Sequence, residues 1–307
     1  MRHGLLLILM AAASARAADA AVDIDSAAQL YQAAEVRAQV RAALPTMPDQ
    51  VKQLFSRDPS QSLSETQLAA VKAAAEHGFR IDVFETAALS ALAHNLDADS
   101  LARSKQFLAS DLGRRMVADD VATAAIGEAA VEKIMNGDQP VPLSPARSAL
   151  IEHLERATHS AESTVQVYLS MGAAVAIGTA IGSGQDPDAV AARANKSGDA
   201  ERAKMENELH LPMQRFLAYS YRNLSDADLK HLIGFLESSA GRRYVTAYNA
   251  AMQAGYGAMG RRTGEQLGES LRELAQADLD AAPSARNPGE PPPDPVHGTP
   301  VPEAPPP

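Results

Sequence analysis

Apolar residues return at three- and four-residue intervals through most of this chain, which is the period of an amphipathic helix, and strict strand-like alternation is absent. Leu30, Ala33, Ala34, Val36, Val40 and Leu44 form one such stripe, with Asp25 or Ser26 placed to cap its start and Pro45 to stop it. A short helix over 47–55 follows, ended by Asp58-Pro59. Ser64 caps a helix carrying Leu68, Val71, Ala74 and Ala75, with Gly78 suited to the position just past its end. Another helix covers 81–94. From Asn95 the helical pattern continues through Val121, Ile126 and Ile134 to a stop at Asn136-Gly137-Asp138. Ser144, with Pro145 at the first helical position, opens a long helix bearing Leu150, Leu154, Ala157, Ala161 and Val165. A short helix capped by Asp186, a break at 195–198, and helices over 199–221, 226–237 and 241–279 complete the reading; the last carries several Gly residues that would permit a kink. The fold class is all-α.

One stretch departs from amphipathic patterning. Residues 165–181 are almost wholly apolar, yet mostly Ala and Gly, which contribute little transfer energy to a membrane span. Ala174, Gly178 and Gly182 fall four apart, a small-residue ridge that lets another helix come close, so a buried helix or helix interface is the expectation.

A second pattern has a longer period. At a constant offset of 128 residues, Asn95, Leu96, Leu101, Phe107, Leu108, Ser110, Gly113, Arg114, Arg115 and Val117 recur as Asn223, Leu224, Leu229, Phe235, Leu236, Ser238, Gly241, Arg242, Arg243 and Val245. Ten identities in 23 ungapped positions point to an internal duplication. The expected organisation is two related multi-helix halves packed as a helical bundle, 22–138 and 146–279. A Pro-rich linker at 139–145 joins them, and a tail over 280–307 holds eleven of the 19 prolines and is expected to be disordered.

Composition adds a compartment. Arg2 and His3, the apolar run 5–13, and Ala15-Arg16-Ala17 read as a secretory signal peptide over 1–17, cut after Ala17 or, second, after Ala20. The expected localisation is periplasmic or secreted, with no transmembrane anchor after cleavage. There is no Cys, which excludes disulfides, thiolate metal sites and a lipid anchor on Cys. The formal charge of -10 becomes -12 without the signal peptide and is spread along the chain, which disfavours nucleic acid.

In each copy a cap candidate, Asp97 or Ser225, precedes a Leu-rich helix and then Phe-Leu-x-Ser-x-x-Gly-Arg-Arg. The structural motif is Phe107, Ser110 and Gly113, repeated as Phe235, Ser238 and Gly241. Its spacing suits a turn in which Ser caps a new helix and Gly lets that helix approach the one before; a continuous helix with Gly at a close crossing is the alternative. Arg114, Arg115, Arg242 and Arg243 sit near a helix start, against the dipole, and are the candidates for binding an anion or a partner. Arg115 has Asp111 and Asp119 within four residues, whereas Arg243 has no local carboxylate.

Other chemistry is thinner. Glu155, His159 and Glu162 would share one helix face and could hold part of a metal site, but an amphipathic solvent face explains them as well. Glu237-Ser238 matches the acid of lytic transglycosylases without the residues that normally follow it. No nucleophile or phosphate-loop signature occurs, so no catalytic, cofactor or metal residues are assigned.

The segment around Phe235, Ser238, Gly241 and Arg242 resembles the bacterial exported proteins of domain of unknown function 2059. Members typically carry a signal peptide, an all-helical body and a Leu-rich helix leading into a Phe-x-x-Ser-x-x-Gly-basic turn. That resemblance implies fold and compartment and brings no activity with it; two copies depart from the single-copy pattern. The function expected first is a non-catalytic cell-envelope binding or interaction module, with an envelope protein or ligand as partner and helix-mediated self-association among its modes. A hydrolase using carboxylates or a metal is one alternative. A helical carrier of a small amphipathic ligand is the other, and it requires an apolar cavity between helices.

Overall fold

Capping chemistry sets where the helices begin. In the computed structural model, which describes residues 22–56 and 64–281, the Asp23 carboxylate takes the Ser26 backbone N–H at 2.8 Å and starts α1, Ile24–Ala33. Glu35 then adopts a left-handed backbone, φ 52°, which ends the expected stripe early and opens α2, Val36–Ala43. A turn of 3-10 helix at Leu44–Thr46 leads into α3, Met47–Ser56. Ser64 and Gln67 form a reciprocal capping box at the head of α4, Glu65–Gly78, which is followed by α5, Ile81–Asn95.

The first copy of the repeated stretch is two helices, α6, Ala98–Leu108, and α7, Asp111–Ala124. The chain does not stay helical to Asn136 as its apolar pattern suggests. Gly127, at φ 83°, separates α7 from α8, Glu128–Asn136, and Gly137, at φ 88°, closes α8. Ser144 caps α9, Pro145–Thr158. A second left-handed residue, His159 at φ 53°, breaks the predicted long helix and begins α10, Ser160–Ser183.

Next comes α11, Pro187–Ser220, 34 residues long and continuous through both the predicted break at 195–198 and Pro212. Packing on α10, where Gly198 approaches Leu169 and Arg202 bonds Gln166, supplies what the Asn-Lys-Ser-Gly sequence lacks in helix propensity. The second copy is α12, Asp226–Leu236, and the start of α13, Ser239–Ala281, a helix of 43 residues. No strand occurs among the described residues, and the fold is all-α. The signal peptide expected at 1–17, the Asp58-Pro59 stop and the tail from residue 282 on lie outside the described residues.

The long helix α13 is the spine. It packs most extensively along α10 and also against α5, α4 and α6, so it touches segments from both predicted halves. One hydrophobic cluster runs through Leu30, Phe84, Leu112, Leu154, Leu232 and Met259, all buried. Small residues make the crossings: a Cβ on Gly78 would fall 2.6 Å from Thr263 Cα, and one on Gly255 would fall 2.4 Å from the Phe84 ring. On α10, Gly178 and Gly182 face α13 backbone, while Gly264 and Gly268 of α13 face α10 backbone. By length and composition α10 could cross a membrane, with a mean hydropathy of 1.5 over its most apolar window; here it lies parallel to α13.

Candidate functional site

The repeated motif folds the same way twice. Ser110 Oγ accepts the Gly113 N–H at 3.1 Å and donates to Phe107 O at 2.6 Å; Ser238 Oγ accepts the Gly241 N–H at 3.0 Å and donates to Phe235 O at 2.6 Å. Each Ser is the N-cap of a new helix, and each Gly lies where a Cβ would strike the preceding turn, 2.1 Å from Phe107 O or 1.9 Å from Phe235 O. The two motifs also meet. Phe107 and Phe235 stack with ring centroids 3.9 Å apart and planes within 2°.

Two of the four arginines cross this junction. Arg115 makes a bidentate pair with Asp228, at 2.7 and 3.0 Å, across from one copy to the other. Arg243 reaches the other way, 3.6 Å from Asp97. The guanidinium of Arg115, ahead of the Ser225 hydroxyl and backbone, holds the Asp228 carboxyl well below the usual carboxylate range. Arg114 bonds Asp111 and Ala109 O, and Arg242 bonds Glu237 O. An anion arriving at any of the four would therefore compete with a protein partner.

Of the remaining candidates, His159 and Glu237 come together in an open depression of about 480 Å³ with His153, Arg156 and Arg242, and Glu155 and Glu162 are not among its lining residues. His159 is the residue that breaks the helix, so Glu155, His159 and Glu162 do not share a face. Glu155 is buried with His210 Nδ1 at 3.1 Å, and no group of three or more ligating side chains capable of holding a metal is found among the described residues. Glu237 is half exposed and lies 2.6 Å from His153.

The structure instead opens a cavity of about 460 Å³ where the two copies meet α9, α10 and α11. That volume is in the range of small-molecule sites, roughly 300–1,000 Å³. Its wall uses matching positions of the two copies, Met116 with Tyr244, Val117 with Val245 and Asp120 with Tyr248, and is closed by Leu154, Met213, Phe216 and Leu232. Tyr244 and Tyr248, with centroids 6.0 Å apart, sit deep in the protein yet keep accessible surface, and the cavity they line supplies it.

Asp120 is the ionisable acid of this wall. It stands four residues after Met116 on the apolar face of α7, where helical spacing would place a hydrophobic side chain. Tyr221 Oη donates to Asp120 Oδ1 at 2.8 Å. Burial, only partly offset by that hydrogen bond and reinforced by the neighbouring Asp119, pushes the Asp120 carboxyl up to about 7. Burial, then the Asp120 charge, raises the Tyr221 phenol well above its ordinary value. Arg147 fixes Tyr221 in turn by donating to Tyr221 O at 2.8 Å, Leu224 O at 2.9 Å and Asp226 Oδ1 at 2.7 Å. Ser160 Oγ, also in the wall, is buried without a hydrogen-bond partner.

Apolar walls with a carboxylate and a few hydroxyls among them are an arrangement suited to holding a small molecule. Sequence reasoning passed over Asp120, Tyr221 and the cavity. The signal that could have found them is an acid on an apolar helical stripe. No curated protein and no solved structure matches the chain. The model of the family described as "Uncharacterized protein conserved in bacteria (DUF2059)" matches residues 213–270, which span Met213 and Tyr221 of the cavity wall, the second repeat motif and the Tyr244, Tyr248 and Tyr256 face of α13; over that segment the chain is similar to the DUF2059 family, and the first repeat motif lies outside the match.

Proposed function

We propose that this is a non-catalytic cell-envelope protein that binds and carries a small amphipathic molecule in the cavity between its helices. The observation that carries the reading is the cavity itself, about 460 Å³ with mostly apolar walls, a few polar side chains among them and the Asp120–Tyr221 pair. Burying an apolar body there releases roughly 25 cal/mol per Å² of surface removed from water. The envelope assignment rests on the N-terminal pattern, and N-terminal sequencing of protein from its own cells should begin at Ala18 or, failing that, Ala21. An intact Met1 on the abundant form would remove it.

The binding test is native mass spectrometry of the purified mature protein, with a fluorescent apolar dye as an independent probe. A bound small molecule, or dye binding that a bulky substitution such as Val117→Trp abolishes without unfolding the protein, is the expected outcome. Bare polypeptide that also takes up no dye would end the reading and leave the interaction-module alternative.

A further inference from the structure

A cavity of this kind leaves the ligand's polar end open, and the wall answers that question. Among the described residues its lining contains Asp120 and no Lys, Arg or His. Asp120 Oδ1 is held by Tyr221, while Oδ2 accepts no hydrogen bond among the described residues and is not sealed from the cavity. Tyr221 is in hydrogen-bond contact with it, and Tyr244 and Tyr248, tilted at 42° to each other, line the same cavity, where burial first and then the Asp120 charge raise both phenols. A carboxylate oxygen without a protein partner, in a wall that is otherwise uncharged and rich in Tyr, forms a receptor for a cation, whereas an anionic head would meet like charge with no counter-ion in the wall.

We propose that Asp120 anchors the head group of the ligand, and that the ligand class is an amphipathic cation, an amine with an apolar alkyl or aryl body. This rests on the carrier reading above and sharpens it. The ammonium donates to Asp120 Oδ2 and lies against the Tyr244 and Tyr248 rings, and the apolar body fills the space toward Leu154, Met213 and Phe216. A long-chain fatty acid is the ligand this wall rejects.

The groups around Asp120 are Asp119 on its own helix, which takes the Asn223 amide at 3.0 Å, Tyr221 at the end of α11, and Tyr244 and Tyr248 on α13. From α2 the wall receives the uncharged Gln39, which accepts from Tyr248 Oη at 3.3 Å. All three phenols are raised above their ordinary values, so none of them titrates between pH 5.5 and 8.

The experiment is displacement of N-phenyl-1-naphthylamine from the full mature protein at pH 8 by decylamine, decanol and decanoate. The chain has no Trp, which keeps the fluorescence background low. Decylamine should bind at least about fivefold more tightly than decanol, and decanoate least of all. In Asp120→Asn the ratio of amine to alcohol affinity should fall to about one. Should that variant fail to fold, the wild type at pH 5.5 supplies the same readout, since protonating the carboxyl should shrink the amine's advantage. If the dye and all three compounds bind with decylamine no better than decanol, the anchor is overturned and the carrier reading stands. If neither dye nor any decyl compound binds, the carrier reading falls first and the anchor with it.

Discussion

Gly241 and Gly234 sit seven residues apart and should respond to alanine with opposite signs. A Cβ at Gly241 would fall 1.9 Å from Phe235 O and 2.7 Å from Leu236 Cα, backbone atoms that cannot rotate away. Gly241→Ala must therefore open the turn that Ser238 caps, and a loss of about 1–3 kcal/mol in urea unfolding is expected. Gly234 is exposed within α12 and a Cβ there meets nothing within 4 Å. Gly234→Ala should gain up to about 1 kcal/mol from helix propensity alone. A gain at Gly241 would mean the close approach is not made in solution, and a loss at Gly234 would mean its Cβ position is not open. The Ser-x-x-Gly spacing was legible in sequence because capping and close approach are decided within six residues. Asp120 was not, since a carboxylate acquires its meaning from Tyr221, Tyr244 and Tyr248, which lie about a hundred residues or more along the chain.

Between elements the decisive contact is α10 with α13. The ridge at Ala174, Gly178 and Gly182 was readable from sequence, and so were the glycines of α13, but their pairing was not. Taken alone, Gly260, Gly264 and Gly268 suggest a kink; placed against α10 they are the complementary ridge, and α13 stays helical throughout. The same limit explains the helix ends that sequence missed. Glu35 takes a left-handed backbone that its residue type does not favour, and His159 one that His enters more readily than most residues but only occasionally, so neither break is announced by a strong local signal. Gly178→Ala would meet Arg261 O at 2.2 Å and Gly264→Ala would meet Val175 O at 2.1 Å. Each should cost about 1–3 kcal/mol. Because either one alone must push the same two backbones apart, the double variant should cost less than the sum by at least about 0.5 kcal/mol. Strict additivity would indicate that the two glycines report on separate contacts.

At the scale of the molecule, Phe107 on Phe235, Arg115 on Asp228 and Arg243 on Asp97 tie the two repeated stretches together, and the cavity opens beside that junction. An ionisable group set in such a core holds its proton to higher pH than it would in water. Between the ordinary carboxylate value of 3.8 and about 7 the native protein keeps a proton on Asp120 that the unfolded chain has released, so stability falls as pH rises through this window. Above about 7 both states are ionised and the whole penalty persists. At about 1.4 kcal/mol per pH unit this amounts to a few kcal/mol, lessened by any water that reaches the carboxyl through the cavity. Asp120→Asn removes the proton from the balance while keeping an oxygen for the Tyr221 hydroxyl. Urea unfolding of the two proteins from pH 4 to 8 should therefore show their difference in stability shifting steadily in favour of the Asn variant up to about pH 7 and holding level beyond it. Parallel curves would mean that Asp120 is solvated like a surface acid, and a surface acid has no need of a cation to pair with it. An amine added at pH 8 should close the gap from the other side, stabilising the wild type more than Asp120→Asn, because a ligand that binds the ionised carboxyl in the native state alone offsets the cost of burying it.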